Sequence, residues 1–173
     1  MATHKNLTEL FTAIADAIRE KTGATGPIVA DDFPDAILAI VTGPSVVPVT
    51  VNNIQDYFTV ANSSYYFKGD GTVFTSNNGG AANSTAQTIL TAKYDMTVSF
   101  AYSYSSEANY DKFTLKFGNV TVENAVSGST TTKQYSGNIN AGGTITFIYT
   151  KDGSQNTNDD KCTFRNMSVT GYF

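Results

Sequence analysis

The chain has 173 residues, a net charge of −4 and a pI near 4.8, which suits one mid-sized domain with a small appendage. The acidic balance argues against nucleic acid as a partner, because phosphate recognition needs a basic face. No apolar run is long enough to cross a membrane, and the first residues lack the apolar core of a secretory signal. The single cysteine excludes an intrachain disulfide, and the single histidine excludes most histidine-based catalysis.

The composition of the chain changes near Gly43-Pro44. Of the 10 tyrosines and 11 phenylalanines, only Phe11 and Phe33 precede this point. A shift of this kind at a Gly-Pro step predicts a domain boundary. We therefore expect a helical module at 1–43, a short stiff linker at 44–48, and a β-sandwich at 49–173.

The first region carries an apolar stripe at helical spacing. Asn6 and Glu9 form a partial capping box, and Gly23 suits a helix stop, which together predict a helix of about 15 residues. A second short helix is predicted around Phe33-Pro34. Because two such helices bury little apolar surface by themselves, the stripe predicts oligomerisation. Its residues are Leu7, Leu10, Phe11, Ile14 and Ile18.

From residue 49 onward the hydrophobic period becomes two. The longest alternating stretch runs from Met96 to Tyr104 and places Tyr102 and Tyr104 on the same face as Phe100. Further alternating segments follow at short intervals, including weak ones at 49–51 and 57–60, and Gly- and Asn-rich turns separate them. Many short strands without helices between them predict a mostly β chain, an antiparallel jelly-roll-like sandwich preceded by the two-helix module.

The sequence LFTAIADAIREKTGATGPIVADDFPDAILAI, residues 10–40, resembles a known module. That module opens many tail-fibre, baseplate and other structural proteins of phages and prophages from gut Gram-positive bacteria. The resemblance implies a virion protein that is made in the host cytoplasm and contacts other virion proteins through this segment. Because fibre-like phage proteins are often trimeric, it also implies a homo-oligomer, with a trimer favoured.

A looser resemblance covers residues 64–169. The segments SFAYSYSSEANYDKF and IYTKDGSQNTNDD are similar in pattern to MAM-like and carbohydrate-binding-like jelly rolls appended to bacterial surface proteins. The resemblance implies a fold more than a ligand, since such sandwiches serve unrelated functions. The chain departs from many carbohydrate-binding sandwiches because it has no tryptophan to present to a sugar.

The segment KDGSQNTNDD has the composition of a cation site. Oxygen-bearing side chains recur at alternate positions, as hard cations prefer, although the loop lacks the glycine and glutamate positions of an EF-hand. Two interpretations stay open: a weak calcium site, or a solvated hairpin tip. In either case we expect folding to require no cofactor. The candidate ligands are Asp152, Ser154, Asn156, Asn158, Asp159 and Asp160.

A second polar cluster consists of Glu107, Asn109 and Asp111. These side chains could bind a ligand, or they could fix the corner between two strands through hydrogen bonds to the backbone. We expect the two clusters to lie together, with Lys151 paired to a carboxylate.

Two adjacent tyrosines are the candidate ligand-binding residues. If Tyr65 and Tyr66 both lie in a strand, one of them must face outward, where its ring could stack on a sugar or pack against a partner. No nucleophile stands in a catalytic motif, and Cys162 in a strand without a histidine partner reads as structural. We therefore expect no enzyme.

Two functions remain. The first is a structural or adsorption protein of a phage-like particle, with the sandwich displayed to recognise a host-surface glycan or protein, or as passive decoration. The alternative is a bacterial cell-surface carbohydrate- or protein-binding module outside any phage context, for which a signal, an anchor or an exposed tryptophan would be expected.

Overall fold

The computed structural model describes residues 7–28, 44–154 and 160–173. The chain divides into two compact units, one of Met1–Ser45 with Tyr172–Phe173 and one of Val46–Gly171. Among the residues described, no helix combines the length and the apolar character needed to cross a membrane.

The predicted first helix is confirmed as α1, Leu7–Thr22. It ends at Gly23, whose φ of +75° is the left-handed conformation that glycine adopts at little cost. The Gly23 N–H donates to Arg19 O at 2.8 Å, as expected at a helix C-terminus. The predicted second helix at 33–41 and the capping residue Asn6 lie outside the described residues.

The second unit is an antiparallel β-sandwich, as the alternation predicts. One sheet has the order β3-β4-β11-β6-β9, with β1 also paired to β11, and the other has the order β2-β5-β10-β7-β8. The elements are β1 (Ser45–Pro48), α2 (Ile54–Tyr57), β2 (Phe58–Asn62), β3 (Phe67–Asp70), β4 (Val73–Ser76), β5 (Thr85–Ala92), β6 (Met96–Ser105), β7 (Lys112–Phe117), β8 (Val120–Val126), β9 (Lys133–Ile139), β10 (Thr144–Thr150) and β11 (Lys161–Gly171).

Aromatic side chains from the two sheets fill the space between them. Phe147 of β10 stacks on Phe164 of β11 with ring centroids 4.1 Å apart, and it meets Phe100 of β6 edge-on at 5.4 Å. Tyr102 and Tyr104 are buried, which confirms that they belong to the core face.

The start of the sandwich differs from the sequence prediction. Residues 45–48, expected as a linker, form β1, because the β-branched Val46-Val47 suit a strand that pairs with β11. The strand predicted at 49–51 is wrong, since Asn53 Oδ1 accepts the Thr50 N–H at 2.7 Å and opens a turn that leads into α2.

Candidate functional site

A buried ionic cluster organises the end of the sandwich where the long loops meet. Lys151 directly follows β10, and only 2% of its side chain is exposed. Its ammonium pairs with the carboxylate of Asp160, and Nζ lies 3.7 Å from Asp111 Oδ2. One buried ammonium therefore links two buried carboxylates from different connections, and the prediction that Lys151 pairs with a carboxylate is confirmed.

Hydrogen bonds extend this cluster into the neighbouring loops. The Tyr149 hydroxyl donates to Asp160 Oδ1 at 3.2 Å and to Asp111 Oδ2 at 3.5 Å. The Asp152 N–H donates to Asp111 Oδ1 at 3.0 Å, and the Ser154 hydroxyl reaches Glu107 Oε2 at 3.3 Å. The two polar clusters thus lie together, and Asp111 accepts a hydrogen bond from the loop backbone.

Burial raises the pKa of the Tyr149 hydroxyl, and the negative charge of Asp111 raises it further. The hydroxyl therefore stays protonated at neutral pH and remains a hydrogen-bond donor to the carboxylates. The pKa of the Tyr102 hydroxyl in the core is raised as well, by burial and by its 2.7 Å hydrogen bond to Glu123 Oε1.

The predicted calcium ligands have different surroundings. Asp160 is buried and engaged by Lys151, while the Asp152 carboxylate accepts the N–H and the hydroxyl of Ser154, each at 2.8 Å. Asn156, Asn158 and Asp159 lie outside the described residues. Within 7–28, 44–154 and 160–173, no three His, Cys, Asp or Glu side chains are arranged to hold a metal ion. The calcium site stays a prediction.

Calcium is expected to affect stability only modestly. Because the Lys151 ammonium already pairs with Asp111 and Asp160 without a metal, the chain should unfold cooperatively in a chelator. An affinity of about 0.1–1 mM, as in weak extracellular modules, would add about 1–2.3 kcal/mol at ~5 mM calcium. The measurement is the melting temperature in chelator and in calcium, with Asp152→Asn as the variant that should abolish any shift. An unchanged melting temperature would rule the site out.

The two candidate tyrosines lie where the chain crosses from one sheet to the other. Tyr65 is 38% exposed and forms an isolated bridge with Ala86 of β5, whereas Tyr66 is half-buried just before β3. The Tyr66 N–H donates to Asn77 Oδ1 at 2.8 Å, which fixes its backbone.

Tyr66 lines a groove of about 320 Å³ between α2, β2 and β3. Both strands are sheet edges on the same side of the sandwich. The groove is lined by both apolar and polar side chains, as is usual in small-ligand sites. Its apolar lining residues are Val51, Ile54, Val60, Phe67 and Phe74, and its polar lining residues are Gln55, Asn62, Tyr66, Lys68 and Thr88.

Hydrogen bonds and close packing hold the groove in shape. The Thr88 hydroxyl donates to Asn62 Oδ1 at 2.7 Å and accepts the Phe67 N–H at 3.0 Å, which joins β5 to both edge strands. A Cβ on Gly69 would collide with Val51 and lie 2.8 Å from Phe74 Cε1. Glycine is therefore required for β3 to approach this wall.

The groove is the feature that sequence reasoning missed. The sequence pointed to the neighbouring Tyr65-Tyr66 pair. It predicted neither α2 nor the approach of the β2 and β3 edges to each other. A local signal for α2 exists in Asn52-Asn53, a turn sequence that breaks the strand pattern.

The predicted oligomerisation stripe is divided between buried and exposed positions. In α1, Ile18 is buried and Ile14 half-buried, whereas Leu10 and Phe11 are 37% and 40% exposed. The structure describes the helix position of Leu7 but not its side chain. Oligomerisation stays a prediction.

Cys162 lies in β11 and is fully buried, as expected of a structural cysteine. Burial raises the pKa of its thiol well above the ordinary value, so the nucleophilic thiolate is disfavoured. The single histidine, His4, lies outside the described residues.

No family model and no curated protein matches the chain. Among solved structures, the secreted serine protease VesC from Vibrio cholerae matches with a TM-score of 0.53 and 12% identity, over 73% of this chain and 28% of that one. The K3 cleaved adhesin domain of Lys-gingipain from Porphyromonas gingivalis w83 matches with a TM-score of 0.40 and 13% identity, over 75% of this chain and 99% of that one. A mutant of the carbohydrate-binding module CBM29-2 matches with a TM-score of 0.41 and 12% identity, over 73% of this chain and 92% of that one.

The match to VesC concerns the fold alone, because the identity is 12% and the chain spans little more than a quarter of that protein. The other two, with TM-scores below 0.5, add nothing to that conclusion. The second unit is thus a jelly-roll-like β-sandwich, a fold that hosts many functions.

Proposed function

We propose that the protein is a non-enzymatic structural and adsorption component of a phage or prophage particle, whose sandwich recognises a glycan or protein on the host surface. The observation that carries the recognition is the groove between the β2 and β3 edges, which Tyr66 lines together with amide, hydroxyl and apolar side chains. An aromatic ring with neighbouring hydrogen-bonding groups suits both sugar rings and protein side chains.

The phage context rests on the likeness of residues 10–40 to the module that opens virion structural proteins. In this proposal the N-terminal segment, including α1 with its exposed Leu10 and Phe11, attaches the protein to the particle or to other copies. The sandwich is equally suited to a bacterial cell-surface module, so the context and the recognition are separate parts of the proposal.

The proposal includes no catalysis because the candidate reactive groups are either protonated and buried or already paired within the fold. The Cys162 thiol is protonated and enclosed, and the carboxylates of Asp111 and Asp160 are held by Lys151. Groups committed in this way support the fold and are unavailable to a substrate.

The recognition is tested by incubating fluorescently labelled full-length protein with intact cells of gut Gram-positive bacteria. We expect saturable binding to a host strain. Tyr66→Ala should weaken binding about tenfold or more, because a well-packed aromatic contact contributes about 1–3 kcal/mol.

The matched control is Tyr110→Ala, since Tyr110 is 56% exposed and lies outside the groove. It should leave binding unchanged, and both variants should keep the wild-type circular dichroism spectrum. Absence of binding to every plausible host would leave passive decoration of the particle as the role. Equal loss in both variants would contradict the groove as the site.

A further inference from the structure

A second cavity lies at the end of the sandwich where the β7–β8 and β9–β10 turns meet. It has a volume of about 370 Å³ and is formed by the β7–β8 turn, the end of β9 and the β9–β10 turn. No residue lines both this cavity and the groove.

The lining of this cavity is rich in amide groups. Asn119, Asn138 and Asn140 contribute to it together with backbone from both turns, and no charged or aromatic residue takes part. Each asparagine offers two donors and an acceptor. A surface of this kind matches a neutral ligand that carries many hydroxyl groups, and it offers no counter-charge to an anion or a cation.

Turn geometry accounts for two of these asparagines but not for Asn138. The left-handed positions of the two turns are occupied by Gly118, with a φ of +56°, and Gly142, with a φ of +82°. Asn119 follows Gly118 in a two-residue hairpin loop, where a Gly-Asn pair is usual. Asn140 is the first residue of a turn, since its carbonyl accepts the Gly143 N–H at 2.8 Å, and asparagine is favoured there. Asn138 lies within β9, where asparagine is disfavoured.

The amides are partly pre-oriented. The Thr97 hydroxyl donates to Asn138 Oδ1 at 2.8 Å, which fixes the amide and leaves its two N–H donors for another partner. Asp95 Oδ1 accepts the Ala141 N–H at 2.7 Å and holds the β9–β10 turn. Asn119 and Asn140 are exposed, so their amides are accessible to a ligand.

The turn also leaves the cavity open. A Cβ on Gly143 would lie 2.6 Å from Ile139 Cγ1 and 2.9 Å from Asn140 O, so only glycine lets the turn fold back this closely. A Cβ on Gly118 or Gly142 would meet no atom within 4 Å. The turn backbone is thus tightly packed at Gly143, while the space beside Gly118 and Gly142 is open.

From this arrangement we infer that the cavity is a second ligand site, for a neutral hexose unit of a glycan. Its ligand class agrees with the proposed function, but the site does not depend on the groove. Two sites on one sandwich would let it contact two units of a polysaccharide, or two chains, and so gain avidity.

The test is a titration of ¹⁵N-labelled full-length protein with glucose, galactose, N-acetylglucosamine and rhamnose, followed through the side-chain NH₂ signals of asparagine. We expect at least one sugar to shift the signals of Asn119, Asn138 and Asn140 saturably. In the double variant Asn119→Ala/Asn140→Ala the affinity should fall about tenfold or more, because two hydrogen-bonding amides are removed.

The matched control is Asn124→Ala, an exposed asparagine of β8 that does not line the cavity, and it should bind like the wild type. No shift of these signals with any of the four sugars would overturn the inference, as would shifts that persist in the double variant. Shifts confined to groove residues 51–69 would also overturn it, while leaving the proposed recognition in place. Tyr66→Ala should leave titration of the asparagine signals unchanged.

Discussion

Replacing Lys151 by Met is expected to lower the free energy of unfolding by about 3–5 kcal/mol. The side chains of Lys151, Asp111 and Asp160 are 2%, 2% and 5% exposed, so the variant leaves two carboxylates buried without their counter-charge. In a chain of this size the melting temperature should fall by roughly 10 °C. The measurement is denaturant unfolding followed by circular dichroism.

The control for this prediction is Lys116→Met, an exposed lysine on β7. It should change the free energy of unfolding by about 0.5 kcal/mol or less. Adding Asp160→Asn to Lys151→Met should recover part of the loss, because one of the two uncompensated charges is removed. A Lys151→Met protein as stable as the Lys116→Met control would contradict the structural role of the ionic cluster.

Truncating Phe147 to Ala should cost about 3–5 kcal/mol, the range found for buried phenylalanines. Phe147 is fully buried on β10, and it contacts Phe164 and Phe100 of the opposite sheet. Its loss would open a cavity between the sheets where two close-packed rings cannot collapse into the space.

Chemical denaturation of Phe147→Ala, Phe147→Leu and Tyr110→Ala measures this effect. Leu retains much of the buried volume and should cost clearly less than Ala, and Tyr110→Ala should lie within about 0.5 kcal/mol of the wild type. If Phe147→Ala were no less stable than Tyr110→Ala, the aromatic layer would not be the core of the sandwich.

The alternation of apolar residues was sufficient to predict the sandwich. Stretches such as Met96–Ser105 are long and strictly periodic, so their inner face can be read from sequence alone. The stop of α1 at Gly23 was predictable for the same kind of reason, because its signal is local. The strand ends were not predictable from the sequence. At residues 45–54, pairing with β11 and the turn at Asn53 decide which residues form strand, turn and helix.

The candidate sites were only partly predictable because they depend on the closure of the sandwich. Asp160 sits in a polar stretch and was interpreted as a solvated or metal-binding residue. Its pairing with Lys151 depends on how the end of β10 and the start of β11, in different sheets, come together. The groove joins residues 51–69 with Thr88, and the amide cavity joins two turns more than twenty residues apart. No local sequence pattern predicts contacts between residues so far apart in the chain.

The central claim is that the sandwich binds a host-surface component in the groove between β2 and β3. Hydrogen–deuterium exchange of the full-length protein, alone and with a cell-surface fraction from a strain that binds it, tests this claim most directly. The account predicts slower exchange in peptides that cover residues 51–69 on addition of the fraction, and a smaller change in Tyr66→Ala at the same concentration. Unchanged exchange in 51–69 while the protein is demonstrably bound would contradict it.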